Sequence, residues 1–284
     1  MRDFIKFNYN LDFEKIDIFE NGFYFECNNK IYLICEIFRD EEEFKNLVNL
    51  LIAKNVKYHL LVLNKDGNYI SEFNGKKIVV LESVTDKYII TDYENTNVIV
   101  MAQNSWGMLW EERIFNYETK KKELLIPKDV KYFLDYYLGL TEAAIVNYNN
   151  VKGSGEEARF MLQHNKISFP ITSFSFYNPV NYLLDYCVRD LAEYVKSKFF
   201  YDSITVDDVI TIINKNSFTL AELNMFLVRL IYPSYFFNIV DDKEFESSSD
   251  LFNIIKKSSQ FENFLKELII NLKNIMPVLV ELPF

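Results

Sequence analysis

LLDYCVRDLAEYVKSKFF, residues 183–200, decides how this chain is read. It opens as an apolar, strand-like segment ending at Asp185 and continues as a helix. Val188, Leu191, Ala192, Val195 and Phe199 recur at spacings that line one helical face. The same period puts Asp190, Glu193 and Ser197 on the far side, and Arg189 with Glu193 makes an i,i+4 pair worth roughly 0.2–0.5 kcal/mol. Taken alone, Arg189 and Asp190 read as a solvated face. An aspartate at a strand end can hold a divalent cation, although capping the following helix is its commoner role. For Asp185 both roles stay open on these residues alone.

Upstream, RFMLQHNKISF (159–169) places His164 directly after another strand candidate, where a loop could face the same cleft. A lone histidine is more often a satisfied structural side chain than a catalyst, and Asn165 and Lys166 supply no neighbouring acid.

Working outward, the N-terminal part reads as antiparallel sheet. Strand candidates 22–27 and 31–38 flank Asn28-Asn29, and candidates 57–64, 69–73 and 77–82 are joined by turns holding Asp66-Gly67 and Asn74-Gly75. Between them, Asp40 followed by Glu43 starts a helix over 41–54, with Phe44, Leu47, Val48 and Leu51 on one face. This predicts a small sheet with one helix laid on it.

Beyond residue 85 a strand pair near 87–90 and 97–101 leads into helical patterns over 104–120, 129–149, 188–200, 205–214, 219–231 and 250–275. The last is expected to break near Ser258-Ser259. Thr205 with Asp208 and Thr219 with Glu222 carry helix-start signatures. The stretch 151–184 reads as short strands and loop. The organisation expected is a sheet-rich lobe over 1–84, a hinge near 83–86, and a mostly helical lobe over 85–284.

Composition narrows the function classes. The 284 residues carry 31 basic and 41 acidic side chains, net −10, and the longest basic run, Lys120-Lys121-Lys122, is followed at once by Glu123. Nucleic acid is therefore not an expected partner. Cys27, Cys35 and Cys187 lack zinc or redox spacings and read as buried thiols in a reducing compartment. With only His59 and His164, a histidine-rich metal site is excluded. The charged start MRDFIKFNYN does not read as a secretory signal, and no segment approaches the ~20 apolar residues of a membrane span. The pattern GxxxxGK[ST] is absent, as are GxGxxG and GxSxG.

Four stretches carry a resemblance: WGMLWEERI (106–114), YYLGLTEAAI (136–145), YCVRDLAEYVKSKFF (186–200) and LVRLIYPSYFF (227–237). In this order they resemble the YutH/CotS group of spore coat-associated proteins, within the aminoglycoside-phosphotransferase branch of the protein kinase-like fold. The resemblance implies an α+β, two-lobed fold: a small antiparallel-sheet N-lobe with one helix and a larger helical C-lobe. It also implies a lysine on the third strand, where IYLICEIF offers Glu36 instead, and a catalytic aspartate soon after His164, where His164-Asn165-Lys166 has none. A metal-binding asparagine a few residues later has no match. Asp185 aligns with the magnesium aspartate and Asp190 with the buried aspartate that braces the catalytic loop.

His164, Asp185, Arg189 and Asp190 are thus expected to form a degenerate kinase-like motif without a catalytic residue. Asp185 would be a metal ligand only in an active protein. The function implied is a pseudokinase-like, structural or binding role in spore coat assembly, with other spore coat or sporulation proteins as partners. Its place would be the mother-cell cytoplasm or the coat. No cofactor is expected. The alternatives are an active small-molecule or protein phosphotransferase using ATP and Mg2+ through Asp185, or a nucleotide-binding sensor.

Overall fold

The computed structural model describes residues 1–20, 22–90, 98–100, 105–123, 128–167, 170–243 and 249–284. In chain order the first elements are α1 (Arg2–Tyr9), β1 (Asp17–Phe19), β2 (Gly22–Cys27), β3 (Lys30–Glu36), α2 (Glu41–Ala53), β4 (Leu60–Leu61), β5 (Ile70–Phe73) and β6 (Lys76–Glu82). Next come β7 (Ile99–Val100), α3 (Trp106–Glu123), α4 (Lys128–Gly153), β8 (Phe160–His164), α5 (Ser173–Phe176) and β9 (Tyr182–Tyr186). The chain ends with α6 (Arg189–Tyr201), α7 (Val206–Asn216), α8 (Leu220–Ile231), α9 (Ser234–Lys243) and α10 (Ser249–Lys273).

Two compact units result: Met1–Val98 with Pro170–Leu183, and Ile99–Phe169 with Leu184–Phe284. The first unit is an antiparallel sheet in the order β1-β2-β3-β6-β4, with β5 also paired to β6. Its hairpins close through Asn28-Asn29, with φ of 52° and 61°, and Asn74-Gly75, with φ of 52° and 76°. Two consecutive residues at positive φ are what a type I′ turn requires, and Asn and Gly adopt them most easily.

The runs Tyr32–Cys35 and Ile78–Leu81 are apolar at every position because both faces of the sheet are covered. On one face Tyr32, Ile34, Ile78 and Val80 pack with Ile5 and Tyr9 of α1; on the other Leu33, Cys35, Val79 and Leu81 pack with Phe44 and Val48 of α2 and with Phe174. The expectation of a single helix on the sheet is corrected here. The helix α1 is too short and too charged to stand out by periodicity, yet its two buried residues close the second face.

This unit runs past the expected boundary at 84 and takes in a returning segment. Ser173 N donates to Tyr88 O (2.9 Å), Ile90 N to Ile171 O (2.8 Å), His59 N to Tyr177 O (2.8 Å), and Asn178 Nδ2 to Cys35 Sγ (3.2 Å). The expected pairing of 87–90 with 97–101 does not form among the described residues: Ile89 bridges Thr172, whereas Ile99 and Val100 pair with Met161 and Phe160. Residues 97 and 101 lie outside the described residues.

The second unit holds the three-stranded sheet β7-β8-β9 and most of the helices. Thr205 and Thr219 form capping boxes with Asp208 and Glu222, as their spacing predicts. The helix α10 passes through Ser258-Ser259 unbroken; there Ser258 Oγ bonds back to Ile254 O (3.0 Å) and meets Tyr137 Oη (2.6 Å). Among the described residues, α1, β1, α5 and α9 had no counterpart in the sequence reading, which took 151–184 as short strands and loop.

Candidate functional site

The polar faces of α6 are where the structure departs most from the helical-wheel reading. Asp190, Glu193, Lys196 and Ser197 are buried, like Leu191 and Val195 on the apolar side. Helices α8, α9 and α10 and strand β8 surround α6, so it has no solvated face for them to occupy. Each buried charge must then be answered by a partner, since an unpaired one costs several kcal/mol.

Asp185, at the C-terminal end of β9, is fully buried. One carboxylate oxygen accepts the Trp106 indole N–H (2.9 Å) and the main-chain N–H of Tyr186 (2.8 Å), and the other accepts Arg189 Nη1 (2.7 Å). It does not cap α6, whose N-cap is Val188 with no side-chain bond. Trp106 starts α3, so the first motif is joined to the third by this carboxylate.

Arg189 reaches further. Nε donates to His164 O (3.0 Å) and Nη2 to Asn165 O (2.9 Å), so one guanidinium ties Asp185 to two carbonyls where β8 ends. Asp190 takes the same strand end from its donor side: Oδ1 accepts His164 N (2.7 Å) and Oδ2 meets His164 Nδ1 (2.6 Å). The N–H of Asp190 in turn donates to Gln163 Oε1 (2.9 Å). The four residues expected to group together, His164, Asp185, Arg189 and Asp190, therefore meet in one buried constellation.

A second set of charges lies along α6. Lys196 Nζ donates to Glu193 Oε1 (2.8 Å), Ser234 Oγ (2.6 Å) and the carbonyls of Arg229 (3.0 Å) and Tyr232 (3.1 Å). Arg229 Nε and Ser234 Oγ also donate to Glu193, at 2.7 and 2.6 Å. Burial pushes the Lys196 ammonium down to about 7, against the pull of Glu193. Burial would raise the Glu193 carboxyl, but Lys196, Arg229 and Arg189 outweigh it and hold the group well below the usual carboxylate range. The Arg229 guanidinium lies 5.2 Å from the Trp106 ring centre and 5.1 Å from that of Tyr232, which itself stacks on Trp110 at 4.3 Å. Trp106, Gln163, Lys196 and Arg229 were not singled out by the sequence reading, and Glu193 was placed on a solvated face. Trp106, Glu193, Lys196 and Arg229 lie in three of the four quoted motifs, which converge on this core, whereas Gln163 lies outside them.

Where kinase-like chemistry would be sought, the residues do not fit a divalent cation. Both oxygens of Asp185 are engaged by cationic or N–H donors, and Lys166 follows the loop histidine by two. Among the described residues no group of three or more His, Cys, Asp or Glu side chains could hold a metal. The first asparagine after Lys166 is Asn178, and it caps a turn through Val180 N and donates to Cys35.

Glu36 is placed differently from its expected role. It shares the β3 face of Tyr32 and Ile34, opposite α2, and pairs with Lys76 at 2.7 Å. Leu33 and Cys35 occupy the α2 face instead. That face of the strand therefore presents neither a lysine nor the repelling acid expected there.

A family model described as "Spore coat putative kinase YutH" matches residues 2–268. Comparison with curated protein sequences finds no match. Among solved structures, an aminoglycoside phosphotransferase from Alicyclobacillus acidocaldarius is similar with a TM-score of 0.57 at 10% identity, covering 94% of each chain. The amicoumacin kinase hAmiN, solved with AMP-PNP and Ca2+, is similar with a TM-score of 0.54 at 11% identity, covering 94% of this chain and 91% of that one. The choline kinase LicA from Streptococcus pneumoniae follows with a TM-score of 0.51 at 11% identity, covering 94% and 97%. At these identities the likeness establishes the kinase-like fold alone.

Proposed function

Because the chain belongs to the YutH family of spore coat kinase-like proteins, we propose that it is a catalytically degenerate member acting through protein contacts in spore coat assembly. The observation that carries this reading is the state of Asp185: buried, and bonded through both oxygens to Arg189, Trp106 and its own strand end. An aspartate that must bind a phosphate-bridging cation needs those oxygens.

The neighbouring positions support the same conclusion. Lys166 stands where the resemblance calls for a carboxylate base, and residues 167–177 contain no asparagine. General acid–base help is worth about 10²–10⁴ in rate, and electrostatic stabilisation of the transferring group adds further orders of magnitude. Losing the base and the metal ligands together leaves little turnover. The partners on this reading are other coat or sporulation proteins, met in the mother cell or in the coat.

The competing reading is an active phosphotransferase using ATP and Mg2+, or a nucleotide sensor, and it rests on the fold shared with AMP-PNP-bound hAmiN. The purified full chain, incubated with γ-labelled ATP, Mg2+ and candidate acceptors, is expected to transfer no phosphate and to show no melting shift with MgATP. Transfer that Asp185→Asn abolishes would overturn the proposal, and a MgATP-dependent shift without product would favour the sensor.

A further inference from the structure

Arg189 is the point where a metal site and this chain part company. Its three donating nitrogens contact three oxygens: Asp185 Oδ2 at 2.7 Å, His164 O at 3.0 Å and Asn165 O at 2.9 Å. A carboxylate and two main-chain carbonyls are the hard donor set that Mg2+ or Ca2+ takes. Here the positive charge comes from the first residue of α6, and a guanidinium stays protonated in proteins. Neighbouring anions raise its pKa still further against the effect of burial, Asp185 foremost.

We propose that Arg189 is a built-in substitute for a divalent cation, a positioning residue that fixes the end of β8 at His164 and Asn165 to Asp185 without a metal. The inference deepens the degenerate reading above and rests on it. Asp190 and Arg189 divide the work. The anion holds the strand end by its N–H and imidazole, while the cation holds it by its carbonyls. A strand end gripped from both sides keeps its geometry whether or not magnesium is present. Removing the guanidinium leaves three oxygens around the volume it occupied, which is the beginning of an oxygen-ligand site for a hard cation.

The test uses the full chain as wild type, Arg189→Ala, Arg189→Lys and the double variant Arg189→Ala with Asp185→Asn. Each is melted with and without millimolar MgCl2 or MnCl2 at matched ionic strength, and Mn2+ occupancy is read by electron paramagnetic resonance. The wild-type melting temperature is expected to stay within about 1 °C, with no stoichiometric Mn2+ bound. Arg189→Ala is expected to melt roughly 5–15 °C lower, as loss of one partner of a buried pair implies. It should regain several degrees with either ion, bind one Mn2+ per chain, and lose both effects in the double variant.

Arg189→Lys, which can reach Asp185 but not both carbonyls, should melt between the two. It carries the test if the alanine variant does not fold. One Mn2+ bound stoichiometrically by wild type would overturn the inference, and so would an Arg189→Ala protein indifferent to both ions. A wild type that transfers phosphate sinks the degenerate reading, whereas an inactive wild type with an ion-indifferent Arg189→Ala sinks this inference alone.

Discussion

Asp190 accepts the main-chain N–H of His164 at 2.7 Å on one oxygen and meets the His164 Nδ1 at 2.6 Å with the other, and both side chains are buried. A helix N-terminus is thereby bonded directly to the end of β8. Asp190→Ala leaves two buried groups of His164 without this acceptor, and a buried unmade bond costs about 1–3 kcal/mol. A loss of about 2–4 kcal/mol is expected in urea unfolding. Asp190→Asn, which keeps an oxygen for the N–H, should cost distinctly less. An unchanged unfolding midpoint in Asp190→Ala would remove the brace from the account.

The Glu193, Lys196 and Arg229 network makes a second claim about α6. Lys196→Met removes the cation between Glu193 and two carbonyls, and breaking such a buried set by removing one member costs about 3–5 kcal/mol. Adding Glu193→Gln to Lys196→Met should cost less than the two single losses summed, with a coupling of about 0.5–3 kcal/mol. Strict additivity in a double-mutant cycle would show that the pair is not energetically linked.

How far these features could be read in advance depends on the range of the interaction. Two hairpins were legible because Asn28-Asn29 and Asn74-Gly75 act through local backbone preference, whereas the one expected at Asp66-Gly67 does not pair β4 with β5; α2 was legible because Asp40 accepts Glu43 N from three residues away. The pairing of Trp106 with Asp185 crosses 79 residues, and no local rule joins them. Periodicity also assigns every polar residue to solvent. It therefore turned Glu193 and Ser197 outward and could not register that α6 is enclosed. The helix α9 was hidden because Pro233 interrupts the helical pattern before it and its ten residues are too few for the period to stand out. The resemblance placed Asp185 and Asp190 in one motif, but that Arg189 occupies Asp185 required coordinates.

Glu222 gives a prediction on the acid side. Its fully buried carboxylate accepts Arg159 Nε and Nη2 and the N–H of Thr219, and these outweigh burial to hold it near 2. A carboxyl lowered on folding contributes stability that is complete above its unfolded pKa near 4.5 and lost as pH falls through 2. The difference in unfolding free energy between wild type and Glu222→Gln should therefore be flat above pH 5 and shrink by about 3 kcal/mol toward pH 2. A flat difference down to pH 2 would mean the carboxylate is not held ionised.

His59 should act in a higher window by the opposite chemistry. Its ring is buried, Nε2 faces Ser173 O at 3.1 Å, and Nδ1 lies 3.3 Å from Val84 N and 3.2 Å from Ser83 Oγ. The Val84 N–H can only donate, so Nδ1 must be the unprotonated acceptor, and a second proton would displace that bond. Burial pushes the imidazole down to about 4, against the Ser173 carbonyl that favours the charged form. Between pH 6.5 and 4 the unfolded chain takes up a proton that the folded chain refuses, so stability falls as pH falls through that window. At about 1.4 kcal/mol per pH unit the loss is about 3 kcal/mol, all of it absent in His59→Gln. The stability deficit of that variant at pH 7 should shrink as pH is lowered to 4. A deficit constant over this range would show that His59 accepts its second proton inside the fold, contrary to the geometry at Val84.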